Sequence, residues 1–237
     1  MTPIVETSQQ LAEMPQDYRD VLLHQMLAHT EGELMGVAEY LRISHIAPTA
    51  LEKMYCYEGA RDEMRHFIIS AEVLHDIGVD TQYMLDQDSA RAAYPQTRLS
   101  GKVTWVERSI TSYLAEWGAL EIIEDMARSS YKPWALIMSE IIADEIRHRE
   151  HGRRNTAELC ENEEGRAAVQ RALEFMWPEV LDMFGRSDSN RSRVAVEWGI
   201  RQRTNEQTRN DFACAARSVL EGMGLVVPPD HKGRKFI

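Results

Sequence analysis

The sequence predicts an all-α protein: two long helical hairpins followed by a helical extension. Three observations predict it. Apolar residues recur at helical spacing through most long segments. Glycine and proline act mainly as punctuation between those segments. No stretch alternates apolar and polar residues in the way a half-buried strand must.

The elements follow in order. A first long helix is expected from about Asp17 to Ser44, stopping before Ala47-Pro48, where the residue preceding proline is driven out of the helical region. A second starts near Thr49, whose hydroxyl suits an N-cap, and ends at His75-Asp76-Ile77-Gly78. Val79 to Lys102 is polar, interrupted by Pro95 and Gly101, and reads as a long crossover with room for one short helix. A third helix is expected from about Val103 to Ser129, and Lys132-Pro133 opens a fourth that reaches about Cys160. Gly165–Phe184, bent near Pro178, and Asn190–Glu221 read as two more helices. The tail from Gly224, with Pro228-Pro229, reads as irregular. One long connection between two antiparallel hairpins is the topology of ferritin-like bundles. The expectation is therefore a single ferritin-like domain over 1–237, with a core bundle at about 17–160 and a helical extension at about 165–223.

Composition excludes several classes. At 43% hydrophobic and 27% charged the 237-residue chain is ordinary for a globular protein, so disorder is not expected. A net charge of −11 argues against nucleic acid, whose phosphates need a concentrated basic surface. Cys56, Cys160 and Cys214 are odd in number and widely spaced, which fits a reducing, cytoplasmic compartment and no thiolate zinc site. No apolar run approaches the roughly 20 residues that span a bilayer, and Met1–Glu6 has no basic stretch leading into an apolar one, so no membrane is expected as partner.

The chemistry lies in a repeated motif. Asp62-Glu63-Met64-Arg65-His66 and Asp144-Glu145-Ile146-Arg147-His148 are both Asp-Glu-x-Arg-His. Residues three apart share a helix face, so each Glu-x-x-His can grip one metal ion. The triplet alone is weak, since about one copy is expected by chance in a chain of ordinary composition. Glu72-Val73-Leu74-His75 is such a third copy. Hairpin geometry separates them, because residues equally far from a turn lie at equal height. Glu33 and Glu63 are each 15 residues from Pro48; Glu116 is 15 before Tyr131 and Glu145 is 14 beyond it. Glu72 has no partner at its level, since Glu39 lies only 9 residues before the same turn, and reads as a surface residue with His75. Glu121, Glu124 and Asp125 compete with Glu116 but sit too near the second turn, and Glu31 must face away from Glu33.

The predicted ligand set is thus Glu33, Glu63, His66, Glu116, Glu145 and His148. Four glutamates and two histidines, one Glu from each of two helices and a Glu-x-x-His from each of the others, are the donors of a carboxylate-bridged di-iron bundle. Four carboxylates balance two divalent ions, so burial leaves no uncompensated charge. Two iron ions suit these donors; manganese suits them as well. Asp62 and Asp144 are placed to hold the free ring nitrogens of the two histidines.

At these residues the chain resembles the catalytic component of the bacterial multicomponent phenylacetyl-CoA monooxygenase, a ring epoxidase family. His29-Thr30-Glu31-Gly32-Glu33-Leu34-Met35-Gly36 resembles its first ligand segment, and Asp62-Glu63-x-x-His66 and Glu145-x-x-His148 match its two Glu-x-x-His motifs. Glu116 stands where the family commonly has Asp. Trp177-Pro178-Glu179-Val180-Leu181-Asp182-Met183-Phe184-Gly185 and Gly222-Met223-Gly224-Leu225 with Pro228-Pro229-Asp230 resemble segments beyond the bundle, and these carry the family-level specificity. The resemblance implies O2 activation at a reduced di-iron centre and epoxidation of an aromatic acyl-CoA such as phenylacetyl-CoA. It also implies a related helical sister chain, or a homo-oligomer, and a separate reductase. Glu116, Arg65 and Phe67 depart from the family pattern beside the metal, which leaves the substrate, and the choice among epoxidation, hydroxylation and N-oxygenation, open.

Arg147, Arg149, Arg153 and Arg154 are candidates for CoA phosphates, against the plainer reading that they solvate the surface and complement the helix dipole. Cys56 shares a face with Glu63 and is a candidate to line the pocket, against the plainer reading that it is core, as Trp105, Trp117 and Trp198 are read. Two other functions compete with the oxygenase: a ferritin-type ferroxidase or peroxide-handling protein, and a non-catalytic scaffold for such an oxygenase. A ferroxidase needs little beyond four helices, whereas the chain continues for about 75 residues past the fourth. A scaffold would be expected to have lost ligands, and all six are present.

Overall fold

Capping chemistry sets the helix boundaries in the computed structural model, which describes residues 3–86 and 104–236. Helix α1 (Ser8–Glu13) starts where the Thr7 hydroxyl accepts from the Gln10 amide. Helix α2 (Gln16–Ile43) and helix α3 (Ala50–Asp76) form the first hairpin, and Thr49 caps α3 by accepting from the Glu52 amide, as expected. Gly78 closes α3 in the left-handed conformation (φ 81°), with the Val79 amide reaching back to Leu74. A 3-10 turn, Gln82–Leu85, follows, and the rest of the crossover, with Pro95 and Gly101, lies outside the described residues. Helix α4 (Trp105–Met126) and helix α5 (Lys132–Cys160) form the second hairpin. Helix α6 (Glu163–Asp182), capped by Asn162, runs on through Pro178. Helices α7 (Asn190–Glu197) and α8 (Asn205–Gly222) complete the fold before an irregular tail.

Two expectations need correction. The helix expected over Asn190–Glu221 is two helices. Gly199, at φ 67°, stops α7, and Thr204 restarts the chain with a reciprocal capping box to Gln207. The short α1 is not among the expected elements. It follows a β-bridge between Val5 and Tyr131, in which Val5 N–H donates to Ser130 and Lys132 N–H donates to Val5. That isolated bridge is the sole β-pairing among the described residues.

The chain divides into two compact units. The first comprises Met1–Gln96, Ile123–Ile141 and Asn190–Gln202; the second comprises Thr97–Ile122, Ile142–Ser189 and Arg203–Ile237. In the first, α2 packs along α3 and also meets α7 and the 3-10 turn. Gly59 permits the approach of α3 to α2: a Cβ there would lie 2.7 Å from the Tyr40 ring. In the second unit a core of Ile110, Tyr113, Leu173, Trp177, Val180 and Phe212 is fully or almost fully buried. Its aromatic centre is Phe212, edge-on to Trp117 and stacked with Trp177 at 6.1 Å. The three indoles expected in the core, Trp105, Trp117 and Trp198, are half-buried, Trp117 packing against the cluster, whereas Trp134 and Trp177, which were not singled out as core, are fully buried.

Candidate metal centre

In the first unit, α2 supplies Glu33 and α3 supplies Glu63 and His66, all buried. Each offers one donor atom within 4.8 Å of the others. His66 presents Nδ1, which lies 3.3 Å from Glu33 Oε2 and 3.8 Å from Glu63 Oε2. Burial alone would raise the Glu33 carboxyl, but the charge of His29 and polar contacts from His29, His66 and Glu63 hold it well below the usual carboxylate range. A carboxylate in this place is therefore ionised and ready to bind a cation.

The second unit repeats the pattern. Helix α4 supplies Glu116, and α5 supplies Glu145 and His148, again with donor atoms within 4.8 Å of one another. His148 Nδ1 faces Glu145 Oε2 at 3.9 Å, the counterpart of the 3.8 Å relation between His66 and Glu63. Glu145 and His148 are buried, whereas Glu116 is partly exposed and has the Arg108 guanidinium at 4.0 Å. Two glutamates and one imidazole in each unit form an oxygen-rich, nitrogen-containing donor set without sulfur, which fits iron or manganese.

The competing residues have other employment. Asp125 accepts from the Arg201 side chain and from the Gln202 amide, and Glu121 accepts from Arg203. Glu31 accepts from the Tyr83 hydroxyl at 2.8 Å. Glu72 and His75 are exposed, and His75 meets Thr81 at 2.9 Å. Asp62 and Asp144 are not competitors but the residues expected beside the histidine rings; Asp62 accepts from Arg61, and Asp144 pairs with Arg147 at 2.7 Å.

With the fold and both triads in view, comparison with known proteins is decisive, because residues 5–235 match the family described as phenylacetic acid catabolic protein. The chain belongs to that family. It is also similar to the A subunit of the 1,2-phenylacetyl-CoA epoxidase of Escherichia coli (strain K12), being 28% identical over 225 residues, 92% of this chain and 72% of the relative. The resemblance read from the motifs is therefore met, as is the all-α, ferritin-like class. The two segments beyond the bundle that carry the family likeness are bonded to each other: Trp177 Nε1 donates to Asp230 Oδ1 at 3.0 Å. Gln170 adds a two-way clip, donating to the Val226 carbonyl and accepting from its amide.

Sequence reasoning passed over two residues of this family member. His29 lies one turn before Glu33, with Nε2 3.0 Å from Glu33 Oε1. Its His-x-x-x-Glu spacing was the available signal. Gly36 is the second: a Cβ there would sit 3.0 Å from the Glu63 carboxylate. The arginines considered for CoA are each engaged on their own helix, Arg147 with Asp144, Arg149 and Arg153 with Glu150, and Arg154 with Glu158. No helix among the described residues is long and apolar enough to cross a membrane.

Proposed function

We propose that the chain is a di-iron monooxygenase in which Glu33, Glu63, His66, Glu116, Glu145 and His148 hold two iron ions, and that its substrate is an aromatic acyl-CoA such as phenylacetyl-CoA. The observation that carries this reading is the duplicate triad of two carboxylates and an imidazole, buried at every member but Glu116, in a chain of the phenylacetic acid catabolic protein family. The donors fit the ions: four carboxylates neutralise two ferrous charges, and both imidazoles face carboxylate oxygens through Nδ1. When bound, the iron pair supplies the electrons that O2 needs before one of its oxygen atoms can enter an organic bond. Ring epoxidation consumes one O2, two electrons and two protons, and releases the second oxygen atom as water. A separate reductase supplies the electrons, and a related helical partner joins the chain in a complex, in keeping with the relative's name, which makes it one component of several.

The protein's own contribution is to position and exclude. Burial of Glu33, Glu63, Glu145 and His148 keeps bulk water from the donors, so their charges act at short range. The packed extension of α6 and α8 supports an oxygenase over a ferroxidase, which needs little beyond the paired hairpins. Three cysteines, none of them in a disulfide, support a reducing, cytoplasmic setting.

Metal content per chain after anaerobic reconstitution with ferrous iron tests the reading, with Glu63→Ala alongside. Two irons in the parent and a clear loss in the variant are expected. Acyl-CoA substrates are then screened under O2 with a reductase, and product carrying one atom from labelled O2 is expected. A parent that takes up neither iron nor manganese sinks the proposal, and iron oxidation without oxygen transfer to any substrate moves the chain to the ferroxidases.

A further inference from the structure

We infer that His29 is a positioning residue that reserves one oxygen of Glu33 and so fixes how that carboxylate is offered to metal. The inference rests on the reading of Glu33 as a ligand. Helix α2 places His29 one turn before Glu33 on the same face. His29 Nε2 lies 3.0 Å from Oε1, while His66 Nδ1, from α3, lies 3.3 Å from Oε2. Each oxygen thus has a different imidazole nitrogen beside it, and the buried His29 nitrogen meets Oε1 at ion-pair distance without an aligned hydrogen bond. Only one of these rings, His66, belongs to a Glu-x-x-His motif.

The His29 ring is itself held in place. Trp134 meets it edge-on, with ring centroids 5.3 Å apart and planes at 88°, and that indole is fully buried. The His29 side chain is only 8% exposed and that of Glu33 7%, so water does not compete effectively for Oε1. The consequence is chemical. With His29 against Oε1, Glu33 would offer Oε2 to a metal ion. Without His29, Oε1 would be open as well, and a carboxylate that chelates through both oxygens would raise the coordination number of the ion it holds. Outer partners of this kind typically contribute about 10- to 100-fold in metal affinity.

Cobalt(II) reads this directly, because its visible absorption weakens as coordination number rises. The full chain is titrated with cobalt(II), then separately with iron(II), as the parent, as His29→Leu and as His29→Gln. Leucine fills the volume of the ring without a donor, and glutamine restores an N–H near the position of Nε2. We expect the parent and both variants to load the same number of ions. His29→Leu should bind about 10- to 100-fold more weakly with weaker cobalt bands, and His29→Gln should return to within about threefold of the parent with the parent's spectrum. Parent-like affinity and spectrum in His29→Leu overturns the inference while leaving the metal centre standing. Equal losses in both variants assign His29 to packing and overturn it too. A parent that binds neither metal sinks the reading of the centre itself, which separates the two failures.

Discussion

Gly36 and Glu63 fit together as a notch and its occupant: a Cβ on Gly36 would stand 3.0 Å from both Cδ and Oε2 of the Glu63 carboxylate. Helix α2 therefore gives up a side chain one turn beyond Glu33, and the Glu63 head group lies in the space. Gly36→Ala pits two effects against each other. Alanine in a helix interior gains about 0.5–1 kcal/mol over glycine, so folding should hold or improve slightly. The displaced carboxylate should lower metal affinity by roughly 10-fold or more, as disturbed ligand positioning does. Gly32, also on α2, has nothing within 4 Å of its would-be Cβ and serves as the control. Melting curves with iron titration check both, and weak binding in Gly32→Ala as well would refute the notch.

Gly152 makes the tighter contact. A Cβ there would lie 2.5 Å from the backbone nitrogen of Tyr113 and 2.7 Å from its Cα, so α4 and α5 meet backbone to backbone one turn beyond His148. Backbone has no rotamer to escape into. Gly152→Ala must push the two helices apart and should cost about 1–3 kcal/mol or more, despite the better helix propensity of alanine. Chemical denaturation measures it, and a variant as stable as the parent would show that the helices can separate freely.

Asp125 holds the segment after α7. It is fully buried and accepts from Arg201 Nε at 3.1 Å and from the Gln202 amide at 3.0 Å. Removing one partner of a buried pair leaves the other charge desolvated, which costs about 3–5 kcal/mol. Asp125→Ala should lower the denaturation midpoint accordingly. If the centre is built from the six predicted ligands, iron stoichiometry in the folded variant should stay at the parent value, since Asp125 is not one of them. A loss of iron with stability intact would mean that the sequence competition between Asp125 and Glu116 was resolved wrongly.

Long periodic helices and their caps were legible because they depend on nearest neighbours: Thr49 before α3 and Lys132-Pro133 at the start of α5 fall where local chemistry requires. The break between α7 and α8 was equally local, in Gly199 and in Thr204 with Gln207, but helical periodicity on both sides masked it. The motif pairs Glu63/His66 and Glu145/His148 were legible for the same reason. Gly36 and Gly152 were not, because a glycine inside a helix acquires meaning only when the neighbouring element is in place. The indoles failed similarly: periodicity marks an apolar face without ranking burial along it, so half-buried Trp117 and fully buried Trp134 look alike in sequence.

Two buried phenols set an alkaline limit on the fold. Tyr113 and Tyr131 are each 1% exposed. Burial pushes both up to about 12, with Arg153 opposing the rise at Tyr113 and Asp76 reinforcing it at Tyr131. An ordinary tyrosine ionises near pH 10. The folded pKa is the higher one, so the folded state holds its phenolic protons more tightly than the unfolded chain. The sign follows: this stabilisation is fully present below about pH 10 and is lost as pH rises from about 10 to about 12. At about 1.4 kcal/mol per pH unit, each phenol removes up to roughly 2–3 kcal/mol over that window. Lysines also titrate there, so the parent is compared with a Tyr113→Phe/Tyr131→Phe double variant. Urea midpoints at pH 8, 10 and 11.5 should fall more steeply in the parent. Parallel declines would mean that neither phenol is protected, and that alkaline unfolding comes from other groups.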